Sequence, residues 1–159
     1  MKIIKKIINV LATLIIVIGG IFLGLYIFGI VPYVILSGSM EPTIETGSLC
    51  FVNKNISIKD IKQKDIIAFK LDDGTLVTHR VVKINDDGIR TKGDNNKKMD
   101  EVIITKDNYV GKNIFWISKI GYVVMIFQTT NGKIILISFV ILLFVFGLLF
   151  GDNKKEKDN

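Results

Sequence analysis

The sequence predicts a mainly β protein, in which a compact antiparallel β domain lies between two transmembrane helices. Two long apolar blocks flank a polar middle region, and apolar residues make up 49% of the 159 residues. The mean hydropathy of +0.44 is high for a soluble domain of this size. The middle region contains short runs of Val, Ile, Phe and Thr between turn signals, a pattern typical of strands.

The first apolar block covers residues 7–31 and follows the lysine-rich segment Met1-Lys-Ile-Ile-Lys-Lys. A helix over this block would be about 37 Å long, enough to cross a hydrocarbon core of about 30 Å. A cleaved leader is the alternative, but the block exceeds the roughly 7–15 apolar residues of such leaders and no A-x-A site follows it. We therefore predict an uncleaved anchor that ends before Pro32.

The second apolar block, residues 134–150, contains no charged side chain and follows Lys133. We predict a second transmembrane helix over 133–150, about 26 Å of helix with Lys133 at its end. The alternative is a buried helix of the folded domain, but the block is apolar on every face. The apolar run Ile120–Phe127 before it, with Trp116, suits either the membrane interface or ordinary core packing.

The positions of the lysines predict the topology. Three lysines lie near each outer end of the two spans: Lys2, Lys5 and Lys6 at one end, and Lys154, Lys155 and Lys157 at the other. Because Lys and Arg concentrate in cytoplasmic loops, residues 1–6 and 151–159 are expected to be cytoplasmic. Residues 32–132 are then extracytoplasmic, and the protein is a multi-pass protein of the cell membrane whose partner is the lipid bilayer.

The middle region carries little net charge of its own. Residues 32–132 contain 14 Lys and Arg against 12 Asp and Glu, a net charge of +2. The excess positive charge of the chain therefore lies mostly at the membrane-flanking ends, and we expect no nucleic-acid partner.

Six short runs in the middle region predict strands: Leu49–Val52, Asp65–Phe69, Leu76–Ile84, Ile89–Thr91, Val102–Ile104 and Tyr109–Ile117. Two Asp-Asp-Gly sequences ending at Gly74 and Gly88 predict hairpin turns, since glycine readily adopts positive φ. The spacing indicates a compact antiparallel sheet or a partly closed barrel.

The single histidine, His79, lies in a run whose alternation places it on one face with Val77 and Val81. A core histidine whose nitrogens bind backbone groups is one interpretation. A metal site is disfavoured because there is no second histidine and no thiolate cluster, and we expect neither a metal nor an organic cofactor. The single cysteine, Cys50, excludes an internal disulfide and is expected to be a small buried apolar residue.

A serine-rich segment, Ser37-Gly38-Ser39-Met40-Glu41-Pro42-Thr43, follows the first span. Glycine permits a tight backbone and proline fixes the chain again, so the segment could hold a serine hydroxyl still and leave N–H groups free. A nucleophilic serine needs both features. The alternative is a linker between membrane and domain.

An acidic segment, Gly93-Asp94-Asn95-Asn96, follows the Ile89–Thr91 run, and Asp100 comes soon after it. Such a segment can be an ordinary turn. A histidine acting as general base nevertheless needs an orienting carboxylate. Asp94 and Asp100 are both candidates for that carboxylate.

Together these segments resemble signal peptidase I, specifically the endoplasmic-reticulum type that also occurs in archaea and some Gram-positive bacteria. The resemblance runs from about Tyr33 to Val124. Four segments carry it in order: Ser37–Ile44 is similar to the serine box, Asp65–Phe69 to the strand after it, Thr78–Val82 to the base box, and Gly93–Asn96 to the acidic box. Two departures are Lys64, where glycine is usual, and the second span.

The resemblance implies a role for each candidate residue. Ser39 would be the nucleophile and His79, where the commoner bacterial type has lysine, the general base. Asp100, at the offset where this type has a second aspartate, is favoured over Asp94 as the orienting carboxylate. The Ser39 N–H, helped by Ser37, would stabilise the oxyanion.

The resemblance also implies the substrate: signal peptides of secreted preproteins, bound as extended segments emerging from the translocon. They would add as a strand between the chain before Ser39 and the Leu76–Ile84 strand, with Leu36 and Val77 as walls of pockets for small residues. Two alternatives stay open. One is a dedicated processing peptidase for a single partner protein, and the other is a non-catalytic membrane-anchored accessory or adhesion module.

Overall fold

The computed structural model describes residues 2–150, and the predicted cytoplasmic tail at 151–159 lies outside the described residues. The helices and strands follow in chain order: α1 (Lys2–Ile27), β1 (Ile30–Val34), a 3-10 helix (Gly38–Met40), β2 (Leu49–Asn53), a second 3-10 helix (Ile58–Asp60), β3 (Ile66–Lys70), β4 (Leu76–Asn85), β5 (Gly88–Lys92), β6 (Tyr109–Ile117), α2 (Ile120–Gln128) and α3 (Thr130–Phe150).

The six strands form one open sheet in the order β1-β2-β6-β3-β4-β5. Each neighbouring pair is antiparallel, as predicted. The alternative of a partly closed barrel is wrong, because β1 and β5 are the two edges of the sheet. Strand β3 pairs with both β6 and β4, whereas β4 pairs with β5 only from Arg80 onward, so residues 76–79 of β4 have a neighbouring strand on one side, β3.

The first helix ends earlier than predicted. It stops at Ile27, and Gly29 adopts a left-handed φ of +71°, the usual way to end a helix. The remaining apolar residues become β1, in which Pro32 lies opposite Phe51 of β2. Proline is tolerated there because β1 is an edge strand and a missing N–H leaves no gap in the sheet.

The two predicted hairpin turns are confirmed. Gly74 has φ +81° between β3 and β4, and Gly88 has φ +136° at the start of β5. The predicted strand at Val102–Ile104 is wrong. Only Ile104 pairs there, through an isolated bridge to Ile89, and the rest of the segment is loop.

The apolar flanks are helical. Within α1, Lys5–Ile27 is long and apolar enough to cross a membrane. The second predicted helix is present as α3, preceded by the unpredicted helix α2. The pair α2 and α3 qualifies as a second span only if the two helices together count as one bent span. The chain divides into a sheet-containing unit, Gly24–Ile126, and a second unit made of the flanking helical residues.

Two buried clusters hold the sheet unit together. The larger cluster consists of Ile61, Ile67, Phe69, Val81, Ile89 and Ile104. The smaller one consists of Met40, Ile44, Cys50 and Ile66, with Ile35 packed against it. Cys50 is fully buried, as predicted, and burial raises the pKa of its thiol to about 12.

Candidate active site

Ser39 lies in the first 3-10 helix, Gly38–Met40, a single turn that neighbouring segments hold in place. On its inner side, Met40 is fully buried against Ile44 and Cys50. On its outer side, the backbone N–H of Asn95 donates to the carbonyl of Ser39 at 2.9 Å. The serine backbone is thus fixed from two directions.

Gly93 makes this arrangement sterically feasible. A Cβ atom built on Gly93 would lie 2.5 Å from the carbonyl oxygen of Ser39, closer than any side chain tolerates. The Asn95 side-chain amide adds a hydrogen bond to the carbonyl of Gly38 at 3.2 Å. The acidic segment Gly93–Asn96 therefore contacts and supports the Gly38–Met40 turn that carries Ser39 (the serine turn).

His79 lies in β4, buried and paired with Ile67 of β3. The ring of Phe69 contacts the imidazole edge-on, with the ring centroids 6.1 Å apart. The imidazole Nε2 lies 3.0 Å from the Oγ of Ser39. On its other side, Nδ1 lies 2.7 Å from Oδ2 of Asp100.

The carboxylate fixes the direction of these hydrogen bonds. Because an ionised carboxylate only accepts, the Nδ1–H of His79 donates to Asp100, and Nε2 is left to accept from Ser39. The hydroxyl of Ser37 lies 3.2 Å from that of Ser39. Since the Ser39 proton points at His79, Ser37 donates to Ser39. The four residues thus form a directed chain of hydrogen bonds that runs from Ser37 through Ser39 and His79 to Asp100.

The two candidate aspartates occupy different places. Asp94 does not meet His79 but forms a bidentate ion pair with Arg80, whose Nε and Nη2 lie 2.8 and 2.6 Å from its carboxylate oxygens. The Arg80 hydrogen bonds, opposed by burial, hold the pKa of Asp94 below its usual range, and the same hydrogen bonds raise the pKa of Arg80. Asp94 therefore ties its loop to β4.

Arg80 makes a further contact on the other side. Its Nη1 donates to the carbonyl of Lys64 at 3.0 Å. Lys64 adopts a left-handed φ of 75°, a conformation in which glycine is normally preferred. The residue that departs from the resemblance thus stands where the backbone favours glycine.

The two proposed pocket walls, Leu36 and Val77, differ in exposure. The side chain of Leu36 is 70% exposed just before the serine turn. Val77 is partly buried and packs against the larger core cluster, two residues before His79 on the same strand. Their role in binding stays a prediction.

One buried polar residue beside the site was missed in the sequence. Thr91 of β5 is fully buried, and its hydroxyl donates to Oδ2 of Asp100 at 2.6 Å. The roles of Gly93 and Asn95 as supports for the serine turn were also missed, although both belong to the acidic segment already singled out.

Among residues 2–150, no group of three His, Cys, Asp or Glu side chains is placed to hold a metal ion.

A serine, a histidine and an aspartate hydrogen-bonded in series form the arrangement that activates a serine hydroxyl for attack on a carbonyl. Comparison with known proteins agrees with this class. A sequence model described as "Signal peptidase, peptidase S26" matches residues 5–119. The chain belongs to this family of peptidases.

Individual relatives match over shorter stretches. Signal peptidase I W of Bacillus subtilis (strain 168) is 41% identical over 86 residues, covering 52% of this chain and 45% of the relative. The signal peptidase complex catalytic subunit SEC11 of Colletotrichum graminicola is 34% identical over 106 residues, covering 58% and 61%. Human SEC11C is 33% identical over 106 residues, covering 58% and 55%. The matches span about half the length of these relatives.

Proposed function

We propose that this chain is a membrane-bound serine endopeptidase that removes N-terminal signal peptides from secreted preproteins. The observation that carries the proposal is the contact between the Oγ of Ser39 and Nε2 of His79 at 3.0 Å. Family membership supports the same activity, since the matched model describes signal peptidases. A non-catalytic anchored module would have no use for a serine hydroxyl aimed at a buried imidazole.

In the proposed mechanism, the Oγ of Ser39 attacks the carbonyl carbon of the last signal-peptide residue. Nε2 of His79 accepts the hydroxyl proton and returns it to the leaving amine as the peptide bond breaks. Water then attacks the acyl-enzyme with His79 again acting as base. Asp100 holds the Nδ1–H of His79, which keeps Nε2 free for both proton transfers.

The oxyanion is stabilised by the start of the serine turn. Ser39 lies in a short 3-10 helix, whose first N–H groups have no acceptor inside the helix. Ser37 lies beside it with a hydroxyl that donates toward Ser39 in the free protein. We propose that the Ser39 N–H and the Ser37 hydroxyl bind the oxyanion, where one such donor typically contributes about 2.7–4 kcal/mol to barrier lowering.

The substrate binds as an added strand, and the pairing of β4 supports this. Strand β5 pairs with β4 only from Arg80 to Asn85. Residues 76–79 pair with β3 on one side, and no strand described within residues 2–150 pairs with their other side. An extended peptide could occupy that side, next to His79. Leu36 and Val77 would then line the pockets for small side chains.

In this proposal, membrane attachment holds the site near the bilayer surface. We propose that α1 crosses the membrane, that the α2–α3 region provides a second crossing, and that both chain ends are cytoplasmic. Exposed apolar residues on β6 and α2, among them Trp116, Tyr122 and Ile126, suit the membrane interface. A preprotein emerging from the translocon would then present its cleavage site within reach of Ser39.

The test is cleavage of a purified preprotein by the full chain in detergent, with the product identified by mass spectrometry. We expect Ser39→Ala and His79→Ala each to lower kcat/KM by about a thousandfold or more, since each breaks the catalytic unit. His79→Lys tests whether lysine, the base of the commoner bacterial type, can replace histidine as the base. The matched control is Ser57→Ala, which removes an exposed hydroxyl that caps the second 3-10 helix.

Cleavage by Ser39→Ala at the wild-type rate would overturn the mechanism. A panel of preproteins separates the general activity from a dedicated one, because a dedicated peptidase would cleave a single member of the panel. Because two relatives are named as catalytic subunits of a complex, cleavage is also measured in native membranes, where partner subunits would be present. Cleavage seen only in native membranes would mean that partner subunits are required.

A further inference from the structure

Thr91 contacts Asp100 through both its side chain and its backbone. The residue is fully buried, and a buried hydroxyl requires a hydrogen-bond partner. Its Oγ1 donates to Oδ2 of Asp100 at 2.6 Å, and its carbonyl accepts the N–H of Asp100 at 2.9 Å. Thr91 therefore forms hydrogen bonds with both the carboxylate and the backbone N–H of Asp100.

Asp100 depends on such support because it lies in the long connection between β5 and β6 rather than in a strand. Its Oδ2 accepts from two donors at once, the Nδ1–H of His79 at 2.7 Å and the Thr91 hydroxyl. Two donors converging on one oxygen fix the rotation of the carboxylate. Without the threonine hydroxyl, the imidazole would be the only side chain within residues 2–150 that donates a hydrogen bond to that oxygen.

A bulge in the β4–β5 hairpin brings Thr91 to this position. Near the turn, Ile84 pairs with Ile89 and Lys83 with Arg90, but beyond the bulge Val81 pairs with Thr91. Val82 is the extra residue of β4. Paired residues project from the same face of a sheet, and residues two apart share a face. Thr91 therefore lies on the face of Val81 and His79.

We propose that Thr91 is a positioning residue for the Ser39–His79–Asp100 site: its hydroxyl holds the Asp100 carboxylate at the angle that orients the imidazole. The proposal rests on the proposed function for its catalytic consequence. The hydrogen bonds themselves are independent of that function. Its effect on catalysis acts through Asp100, since that residue accepts a hydrogen bond from the Thr91 hydroxyl and donates its own N–H to the Thr91 carbonyl.

The activity arm compares Thr91→Val and Thr91→Ser in the full chain. Valine keeps the shape of threonine and removes the hydroxyl, whereas serine keeps the donor. We expect Thr91→Val to lower kcat about tenfold with KM within twofold of wild type, the effect of losing one hydrogen bond to a charged group. Thr91→Ser should recover most of the lost kcat. Thr91→Ala replaces the valine variant if that variant does not fold.

The spectroscopic arm uses the fact that the chain contains a single histidine. In protein labelled with ¹⁵N at histidine, the imidazole nitrogen signals therefore report only His79. In the wild type we expect a protected, downfield Nδ1–H signal from the bond to Asp100. In Thr91→Val this signal should shift and exchange faster with water, and in Thr91→Ser it should return toward the wild-type position.

The matched control is Ile104→Val, which removes one methyl group from the larger buried cluster beside β5 and removes no hydrogen-bonding group. A loss of kcat and a change in the Nδ1–H signal of equal size in this control would reduce Thr91 to a general core residue and overturn the proposal. Unchanged kcat and an unchanged signal in Thr91→Val would do the same. If the wild type cleaves no substrate either in detergent or in native membranes, the proposed function fails, while the signal of Thr91→Val still decides whether Thr91 positions Asp100 and His79.

Discussion

The size of one side chain decides how closely the acidic segment approaches the serine turn. Gly93 lies under the carbonyl of Ser39, and the next contact, the Asn95 N–H to that same carbonyl, requires this approach. No positive φ is involved at Gly93, so any effect of a larger residue there comes from space alone. A substitution at Gly93 therefore tests steric support of Ser39 without a contribution from backbone strain.

We predict that Gly93→Ala lowers kcat/KM by about a hundredfold, because a shift of roughly 1 Å in a reacting group costs about that much. The added Cβ would lie 2.5 Å from the Ser39 carbonyl, so the serine turn must move. The measurement is preprotein cleavage together with urea denaturation. Gly19→Ala is the control, because a Cβ at Gly19 in α1 meets nothing within 4 Å.

Activity of Gly93→Ala within twofold of wild type would mean that the serine turn adapts without cost.

Lys64 shows the opposite case, in which backbone conformation rather than space is the constraint. It holds a φ of 75° with an ordinary side chain, at a cost of about 1–2 kcal/mol. The carbonyl of Lys64 accepts from Arg80, which stabilises this backbone.

At the scale of elements, the Arg80–Asp94 ion pair connects β4 to the loop that supports the serine turn. The Arg80 hydrogen bonds, opposed by burial, lower the pKa of Asp94 below its ordinary value of 3.8. A group whose pKa is lowered by folding contributes stability above its unfolded pKa and loses it as the pH falls through the folded pKa. The pair should therefore stabilise the protein at neutral pH and cease to do so in acid.

We predict that Asp94→Asn lowers the free energy of unfolding by about 1–2 kcal/mol at pH 7, a value reduced for the partial exposure of the pair. The difference from wild type should shrink as the pH falls below about 4 and vanish where Asp94 is protonated in the folded wild type. Urea denaturation in detergent at a series of pH values measures it.

Asp86→Asn serves as the control, because Asp86 is exposed in a two-residue hairpin turn where asparagine is equally suitable. It should behave like the wild type at each pH. A difference between Asp94→Asn and wild type that stays constant from pH 7 to pH 2.5 would contradict an electrostatic origin. It would assign the effect to packing of the loop instead.

Much of the sheet was predictable because local signals agreed with the final structure. The Asp-Asp-Gly turns and the alternating run at Leu76–Ile84 required no distant information. Ile30 and Val31 were wrongly assigned to the first helix because they continue its apolar block, and only pairing with β2 makes Ile30–Val34 a strand. Val102–Ile104 resembled a strand in composition, but only Ile104 forms a bridge there.

The structure joins Ser39, His79 and Asp100, all singled out in the sequence, by hydrogen bonds whose geometry could not be predicted, and their catalytic roles stay a proposal. Motif resemblance favoured Asp100 over Asp94, and the contact of Asp100 with His79 agrees with that preference. The position of Thr91 beside Asp100 could not be predicted from the sequence, for a physical reason. In a hairpin without a bulge, the pairing of Lys83 with Arg90 would place Val82 opposite Thr91, on the wrong face for His79. The single extra residue reverses that face.

At the scale of the whole molecule, the proposed function depends on which side of the membrane holds the sheet unit. Lysines near both chain ends favour a cytoplasmic location for the ends, and signal peptides are removed on the opposite side. The native cysteine makes this testable without removing any residue. Cys50 is fully buried, and its thiol has a pKa of about 12, so it should not react with maleimides in the folded protein.

We predict that Asp72→Cys, in the exposed turn between β3 and β4, is labelled by a membrane-impermeant maleimide added to intact spheroplasts. Asn153→Cys, in the segment after the second apolar block, should be labelled only after permeabilisation. The wild type should stay unlabelled in both conditions. The reverse pattern would place Ser39 and His79 in the cytoplasm, where exported preproteins do not expose their cleavage sites, and the proposed function would fall even if purified protein cleaved peptides. Labelling of both variants from outside would leave one crossing instead of two, with α3 on the outer side, and the peptidase proposal would stand.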